Sequence, residues 1–352
     1  MKKVLFLYTE LAAYTLTCFR HLASNYSVEV HVVRYPVNNE APFEFDFSGI
    51  KVYERSDFSR SGLVDLIETL NPSVIVCSGW IDKDYVAVCK LFRRRAPTVL
   101  ALDNQWEAKF KQHLAMLLSP LLIKPAFSHA WVPGEPQRKY VLKLGFKKER
   151  VLTGFYSADT PFFTSLGNRN KEDKQKNFPK RFIYVGRYIE HKGINELWDA
   201  YRKLRNEVTT HWELWCMGVG ELYDNRPKIE GVTHFGFVQP EEMEDFIKST
   251  GVFILPSHFE PWGVVVHEFA AAGFPLLLSS RVGAAKSFLV ENDNGYVFND
   301  RNAEDLFICM KKIVTSPTED LLRMGERSSA LAQGVSPDSW SSSLLSILSG
   351  NE

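Results

Sequence analysis

The sequence has no long hydrophobic run, no paired cysteine motif and no net charge. None of its apolar stretches reaches about 18 residues, so no membrane-spanning helix is predicted. The five cysteines are scattered without a CxxC spacing, which argues against a disulfide framework and against a zinc site. The apolar run after Lys2 and Lys3 is short and no small-residue cleavage site follows it, so a first buried strand is predicted rather than a signal peptide. These absences predict a cytoplasmic protein with no nucleic-acid partner.

The charges are unevenly spread although they sum to zero. Residues 1–165 carry 21 Lys and Arg against 16 Asp and Glu, and residues 166–352 carry 21 against 26. A basic first half suits an acidic partner, such as a phosphorylated acceptor or an anionic membrane face, but ordinary surface scatter gives the same count. Leu114–Phe127 is apolar and contains Pro120 and Pro125. Two interpretations stand for it: a buried helix with a loop, or a peripheral membrane contact.

Apolar runs of strand length alternate with helical patterns along the whole chain. Continuous rather than alternating runs are typical of strands that are buried on both faces of a parallel sheet. The fold class predicted is α/β, with two Rossmann-like doubly wound domains facing a cleft. The strands are predicted at Val4–Tyr8, Val28–Val33, Val74–Cys77, Thr98–Leu102, Ala130–Val132, Phe182–Val185, Glu213–Met217, Val232–Phe235, Val252–Leu255, Pro275–Leu278 and Tyr296–Phe298.

One polar segment interrupts this alternation. Residues 165–180 are charge-rich and lack apolar periodicity, which predicts a linker between domains. The predicted boundaries are a first domain over 1–165, a linker over 166–180, a second domain over 181–335, and a segment over 336–352 that packs back on the first domain. Ligands of such sheets bind beyond the carboxyl ends of the strands, so the expected site lies there.

The densest chemical signal is the segment Pro256–Glu268, which follows a predicted strand and opens a helix. Gly263 at the turn permits close backbone approach to a ligand, and the helix start favours a phosphate. Glu268, about one turn into the helix, suits the vicinal hydroxyls of a ribose, and Glu260 can reach a second polyol. The alternative is that Glu260 is a cap and Glu268 a solvated helix residue.

A second signal follows the strand that opens the second domain. Gly186 and Arg187 come directly after that strand, and Lys192 and Gly193 precede a helix. Arg suits bidentate contact with phosphate and Lys supplies a point charge, so both cations are predicted at one strand end. The alternative is that both are surface charges.

Together these segments resemble the GT4-type family of GT-B glycosyltransferases, which shows a V-G-R…K-G segment and an E-x7-E segment. Further segments fall in family order through the C-terminal half, and Gly154–Phe163 looks like a degenerate form of one more. They are Gly218–Gly220, Val232–Gln239, Pro256-Ser257, Ala270–Pro275, Ser280–Ala284 and Asn294–Tyr296.

The resemblance implies a role for each matching position. Arg187 and Lys192 would bind the donor diphosphate and stabilise it as a leaving group, and Glu268 would bind the ribose. Glu260 would hold the transferred sugar. The remaining donor-binding positions would be Gly186, the backbone amides around Trp262, Gly263 and Val264, and the base-lining residues Phe237 and Val238. The family retains anomeric configuration and uses no bound metal or other cofactor.

Two departures from the family pattern concern the first domain. Many relatives carry a Gly-Gly loop after the first strand, where this chain has Glu10–Tyr14, and many carry a His after the fourth strand. Asp103 follows that strand here and is the candidate for contact with the transferred sugar or the acceptor, unless it caps the next helix. Asp82 and Asp84 match the DxD of metal-dependent transferases, but an N-cap is the preferred interpretation, so no metal site is predicted.

The function predicted is that of a retaining glycosyltransferase. It would move a sugar from a nucleotide-sugar donor to a carbohydrate or lipid-linked acceptor in cell-surface polysaccharide or glycoconjugate synthesis. Two alternatives remain: a non-transferring enzyme of the same fold, such as a nucleotide-sugar epimerase, and a non-catalytic binding protein. The Gly-Arg…Lys-Gly and E-x7-E segments argue against both.

Overall fold

A computed structural model describes residues 1–37 and 45–349 of the chain. These residues divide into two compact α/β units. The first unit contains the described residues up to Ser157 together with those from Pro337 onward, and the second contains Ala158–Ser336.

The first unit is built on a parallel sheet with the strand order β3-β2-β1-β4-β5-β6-β7. Its strands are β1 (Lys2–Tyr8), β2 (Val28–Arg34), β3 (Ile50–Glu54), β4 (Val74–Ser78), β5 (Thr98–Ala101), β6 (His129–Trp131) and β7 (Val151–Leu152). The crossover helices are α1 (Ala13–Tyr26), α2 (Arg60–Leu70), α3 (Lys83–Phe92), α4 (Phe110–Leu122) and α5 (Glu135–Lys143).

Helices cover both faces of this sheet, as the continuous apolar runs predict. In β1, Val4 and Phe6 enter one hydrophobic cluster while Leu5 and Leu7 enter another, because successive side chains of a strand point to opposite faces. All four side chains are fully buried. A doubly wound parallel sheet is therefore confirmed for this unit.

The second unit repeats the architecture with the strand order β10-β9-β8-β11-β12-β13. Its strands are β8 (Arg181–Val185), β9 (Glu213–Met217), β10 (Val232–Phe235), β11 (Val252–Leu255), β12 (Leu276–Ser279) and β13 (Gly295–Phe298). Its helices are α6 (Thr160–Arg169), α7 (Lys171–Lys176), α8 (Ile194–Glu207), α9 (Glu244–Ser249), α10 (Val264–Ala271), α11 (Ala285–Phe288), α12 (Ala303–Thr315) and α13 (Thr318–Ala332).

The last helix, α14 (Pro337–Ser349), returns to the first unit and packs on α1. Trp340 is buried there, and its Nε1 donates a hydrogen bond of 2.8 Å to the Phe155 carbonyl. Its ring lies 4.8 Å from that of Trp131 and 6.0 Å from that of Phe6. Residues 350–352 of the predicted C-terminal segment lie outside the described residues.

The predicted linker over 166–180 is wrong. These residues include the last four residues of α6 and all of α7, and they belong to the second unit. The contact with α10 is made by Gly167, where an added Cβ would lie 2.6 Å from the Ala272 carbonyl oxygen. Lys174 is also buried, with its ammonium group 3.8 Å from the centre of the Phe274 ring. The packed face combines Leu166 with a glycine and a lysine, so hydropathy gives only a weak sign of it.

The sequence pattern also missed two edge strands, β3 and β7. The side chains of β3 are partly exposed after Ile50, and β7 has two residues, so neither forms a continuous apolar run. Within the described residues, no helix combines the length and the apolar character that a membrane crossing requires.

Candidate functional site

The candidate site lies at the carboxyl ends of the strands in the second unit. Strands β8 and β11 are neighbours in the sheet. From β8 the chain continues to β9 towards one edge of the sheet, and from β11 it continues to β12 towards the other edge. Ligands of parallel α/β sheets bind at such a switch point. Gly186 and Arg187 directly follow β8, and the segment from Pro256 to Gly263 follows β11. The two motifs singled out in the sequence therefore flank the switch point.

Backbone contacts hold these two segments together. His258 N donates a hydrogen bond of 2.9 Å to the His191 carbonyl. Gly193 has φ 69°, and a Cβ added there would lie 2.1 Å from the Pro256 carbonyl oxygen. No side chain fits in that space, so glycine permits the loop after β8 to touch the loop after β11.

This close approach pairs Lys192 with Glu260. The Lys192 ammonium forms an ion pair with Glu260 Oε2, and both side chains are largely buried. The Glu260 backbone is fixed by a second loop: its N–H donates to the Arg281 carbonyl at 3.1 Å, and its carbonyl accepts from Gly283 N at 2.9 Å. Ser257 Oγ lies 3.5 Å from the same carboxylate oxygen. The pair thus sits in a rigid frame.

Arg187 belongs to the same cluster of charges, as the environment of His191 shows. Burial lowers the pKa of His191, and the nearby Lys192 and Arg187 lower it further, while Glu260 opposes them. Three of the predicted site residues therefore act on one imidazole. Two cations and one carboxylate therefore act at this strand end.

The turn into α10 depends on Gly263. Its φ is 90°, and a Cβ added there would lie 2.9 Å from Glu260 Cγ. Gly263 is the N-cap residue of α10, and no side chain caps the helix start at Val264. An uncapped helix N-terminus presents backbone N–H groups and a partial positive charge to an anion.

Glu268 lies in the second turn of α10, and its side chain is half-buried. Burial raises its pKa to about 7, and the nearby Asp159 adds to the rise. Among the described residues, its carboxylate has no hydrogen bond or ion pair. A buried carboxylate normally has a partner, so this one is suited to accept hydrogen bonds from a ligand.

His267, next to Glu268, fixes α10 in place. Its Nδ1 accepts a hydrogen bond of 3.1 Å from Ala158 N, so its Nε2 carries the proton and donates to the Ala332 carbonyl at 2.9 Å. Burial lowers the pKa of His267 to about 4, which keeps the ring neutral. Its role is to position the helix that carries Glu268.

Phe237 and Val238 are the residues predicted to line the nucleotide base. They follow β10 at the same edge of the sheet and are half-buried. Gly218 N donates a hydrogen bond of 3.0 Å to the Gly236 carbonyl, and a Cβ on Gly218 would lie 2.0 Å from the Gly186 carbonyl oxygen. The loops after β8, β9 and β10 are thereby joined. The glycine pair at 218 and 220 has a packing role here.

The Trp262 indole packs in the core, whereas the prediction concerns the backbone amides around this residue. The side chain is buried and packs edge-to-face on Phe288, at 6.1 Å between ring centres. Its carbonyl accepts a hydrogen bond of 2.9 Å from Ala284 N. Its indole Nε1 is buried and has no hydrogen-bond partner among the described residues.

Asp103 lies in the first unit, after β5. Its Oδ2 accepts a hydrogen bond of 3.3 Å from the Tyr156 hydroxyl. It is not a helix cap, since Lys109 occupies the N-cap position of α4. Its contact with a sugar or an acceptor stays a prediction.

Asp82 is the N-cap of α3, as the preferred interpretation of the sequence predicts. Its Oδ1 accepts hydrogen bonds from Asp84 N at 2.8 Å and Tyr85 N at 3.0 Å. Arg55 forms ion pairs with Asp82 at 2.7 Å and with Asp84 at 2.9 Å. The carboxylates of this DxD motif already have a cationic partner.

Two residues of the site escaped the sequence analysis. Asp159, the N-cap of α6, lies near Glu268 and contributes to its raised pKa. His258 is buried, and its Nε2 lies 3.0 Å from Glu196 Oε1. His258 lies inside the dense motif and Asp159 inside the degenerate segment Gly154–Phe163, but neither residue had an assigned role.

Comparison with known proteins finds a family match. Residues 168–330 match the sequence profile of the family described as "Glycosyl transferases group 1". The matched segment is slightly less than half of the chain. The match covers most of the second unit, which carries the cluster around Lys192 and Glu260.

The curated relatives align over part of their length. The lipopolysaccharide core biosynthesis glycosyltransferase LpsE of Rhizobium meliloti is 29% identical over 52% of this chain and 52% of LpsE. The glycogen synthase of Mycobacterium tuberculosis is 28% identical over 40% of this chain and 35% of that protein. The alignments thus span about half or less of these relatives.

Solved structures match along the whole chain. The structure of HepE from Anabaena with UDP and glucose has a TM-score of 0.74 at 15% identity, covering 99% of this chain and 100% of that one. Sucrose-phosphate synthase from Thermosynechococcus elongatus has a TM-score of 0.73 at 13% identity, covering 99% and 98%. At such low identities these matches establish the fold, which is GT-B.

Proposed function

We propose that the protein transfers a sugar from a nucleoside diphosphate donor to an acceptor, with retention of anomeric configuration and without a metal ion. The observation that carries this proposal is Glu268. Its half-buried carboxylate has no partner among the described residues, and its helix starts at a switch point where Arg187 and Lys192 supply positive charge. A ligand with an anionic group and vicinal hydroxyls complements both features. A nucleoside diphosphate has both.

The phosphate groups would lie between the two cations and the start of α10. When the anomeric bond breaks, the diphosphate gains negative charge, and Arg187, Lys192 and the backbone N–H groups at Val264 are already oriented to stabilise it. Lys192 is paired with Glu260 before the donor binds. We expect its ammonium to turn to the diphosphate in the complex, which leaves Glu260 free to accept hydrogen bonds from the sugar hydroxyls.

Glu268 would then bind the ribose, with Phe237 and Val238 beside the base. We assign no covalent role to Glu260, because attack on the same face as the departing phosphate also retains configuration. The transition state is expected to be oxocarbenium-like, with the leaving group stabilised by charge rather than by proton transfer.

The relatives suggest the first donor and acceptor to try. HepE was solved with UDP-glucose, and LpsE is named for lipopolysaccharide core biosynthesis. We therefore propose UDP as the nucleotide and a carbohydrate or lipid-linked precursor of a cell-surface polysaccharide as the acceptor. Membership of the GT4 group within the family is part of the same proposal.

Isothermal titration with UDP and with UDP-glucose tests the two glutamates separately. Glu268→Gln keeps the shape of the side chain and removes its charge, so UDP affinity should fall roughly 10- to 150-fold, the equivalent of about 1.5–3 kcal/mol. Glu260→Gln should leave UDP affinity nearly unchanged and impair turnover of UDP-glucose. Glu319→Gln, an exposed change in α13, is the matched control.

Equal loss of UDP affinity in Glu260→Gln and Glu268→Gln would show that the roles are misassigned. If neither variant changes the binding of either ligand, the donor site lies elsewhere. Release of UDP during turnover separates transfer from epimerisation, which keeps the sugar on its nucleotide, and from a binding protein, which releases none.

A further inference from the structure

Helix α4 of the first unit exposes a continuous apolar face. Phe110 is 82% exposed, Leu114 45%, Leu117 73% and Leu121 71%. Their spacing of four, three and four residues places them on one side of an α-helix. A row of exposed large apolar side chains is unusual for a protein surface and indicates an interaction site.

The orientation of α4 is fixed by Ser119 and by Ala115, which packs against the core. Ser119 is the one residue of this helix that is fully buried, and its Oγ donates a hydrogen bond of 2.7 Å to the Leu144 carbonyl. The chain enters the core directly after the helix, where Ile123, Ala126 and Phe127 are buried. The buried-helix interpretation of residues 114–127 therefore holds only for these last residues.

Basic residues surround the apolar face. Residues 108–134 contain no Asp or Glu but include Lys109, Lys111 and Lys124. Lys109 is 65% exposed and forms an ion pair with Glu107 at 2.8 Å. The exposed arginines at 93–95 precede β5, whose first residue, Thr98, donates from Oγ1 to the Ala126 carbonyl at 2.7 Å. This bond joins β5, which follows residues 93–95, to the segment that follows α4.

We propose that α4 docks the protein on an anionic lipid surface, with Phe110, Leu114, Leu117 and Leu121 inserted at the interface. A helix of 13 residues is about 20 Å long and would lie in the plane of the membrane. Anionic headgroups complement the lysines around the apolar face. A second copy of the chain does not, because a symmetric dimer through α4 would bring two cationic rims together. This docking is independent of the donor-site assignment.

Vesicle co-sedimentation of the full chain tests the proposal. Wild type should bind vesicles of mixed phosphatidylcholine and phosphatidylglycerol, and bind pure phosphatidylcholine much less. The double variant Leu117→Ser/Leu121→Ser should lose roughly tenfold in partition for each leucine. Lys109→Gln/Lys111→Gln should lose about fivefold for each charge, and on the anionic vesicles alone. Ile308→Ser removes an apolar side chain that is 44% exposed on α12, and it should change nothing.

Three outcomes would overturn the proposal. The first is that wild type binds neither vesicle, and the second is that the double leucine variant binds as wild type does. The third is that sedimentation velocity finds a dimer that this variant dissociates. The last result would identify a second copy as the occupant. Both leucines are mostly exposed, so an unchanged thermal midpoint shows that a loss of binding is not a loss of fold.

Discussion

Glu268→Gln should stabilise the ligand-free protein at neutral pH while it weakens nucleotide binding. In the unfolded chain the carboxyl ionises at its ordinary value of 4.5, but in the folded protein it holds its proton up to about pH 7. Between these values the folded state binds more protons than the unfolded state. Stability therefore falls as pH rises through this range, and the full deficit is present above pH 7.

The size of the deficit follows from the raised pKa. The rise from 4.5 to about 7 corresponds to about 3 kcal/mol, at about 1.36 kcal/mol for each pKa unit. Glu268 keeps partial solvent exposure, which reduces the expected gain for the variant to about 1–3 kcal/mol. Gln at this position carries no charge at any pH, so wild type and variant should have equal stability near pH 4.

Thermal unfolding at pH 5 and pH 8 measures this directly. The unfolding transition that UDP shifts reports on the second unit. The midpoint of this transition should be roughly 2–12 °C higher for the variant than for wild type at pH 8. Other titrating groups are common to both proteins, so they cancel in the difference. Glu319→Gln should show no pH-dependent difference. If Glu268→Gln is equally or less stable than wild type at pH 8, the carboxylate is not an unpaired, half-buried charge and the reasoning fails.

Four further changes have expected outcomes. Lys192→Ala should lower kcat by orders of magnitude in a sugar-transfer assay without loss of fold, and near-normal turnover would remove it from the mechanism. Gly193→Ala should lower the unfolding free energy by at least about 2 kcal/mol in urea titration, because it has φ 69° and its Cβ would meet the Pro256 carbonyl. Burial lowers the pKa of Lys174 to about 7, so stability rises from pH 7 towards 10.5. Lys174→Met should therefore stabilise the protein at pH 7 by on the order of 3 kcal/mol, with no gain near pH 10.5. Transfer should persist in EDTA, whereas loss with rescue by Mn²⁺ would implicate Asp82.

The strands were predictable because burial on both faces leaves an apolar run that single-sequence patterns detect. The predicted strands Val252–Leu255 and Val232–Phe235 coincide with β11 and β10. The helices at 160–176 were missed because the packed face contains Gly167 and the stem of Lys174. Such contacts depend on a partner helix distant in sequence, which no local pattern encodes.

The site was predictable for a related reason. The segment after β8 and the segment after β11 are each short and uninterrupted. Arg187, Lys192 and Glu260 could therefore be named from local motifs. Their meeting at one strand end depends on parallel strand order, which the α/β pattern implies. Asp159 lies in the segment Gly154–Phe163, but its proximity to Glu268 could not be predicted, because it precedes the glutamate by more than a hundred residues.

The glycines and the charges of these motifs have different physical roles. Gly193 and Gly263 have positive φ, and a Cβ on either would collide with neighbouring atoms of the site. They determine that the loops meet, and they would be required even if no ligand bound. Lys192 and Glu260 already partner each other, whereas the Glu268 carboxylate has no partner among the described residues. The ion pair alone would be compatible with a structural role. The half-buried Glu268 carboxylate without a partner favours a binding role, because its raised pKa makes the folded protein less stable at neutral pH.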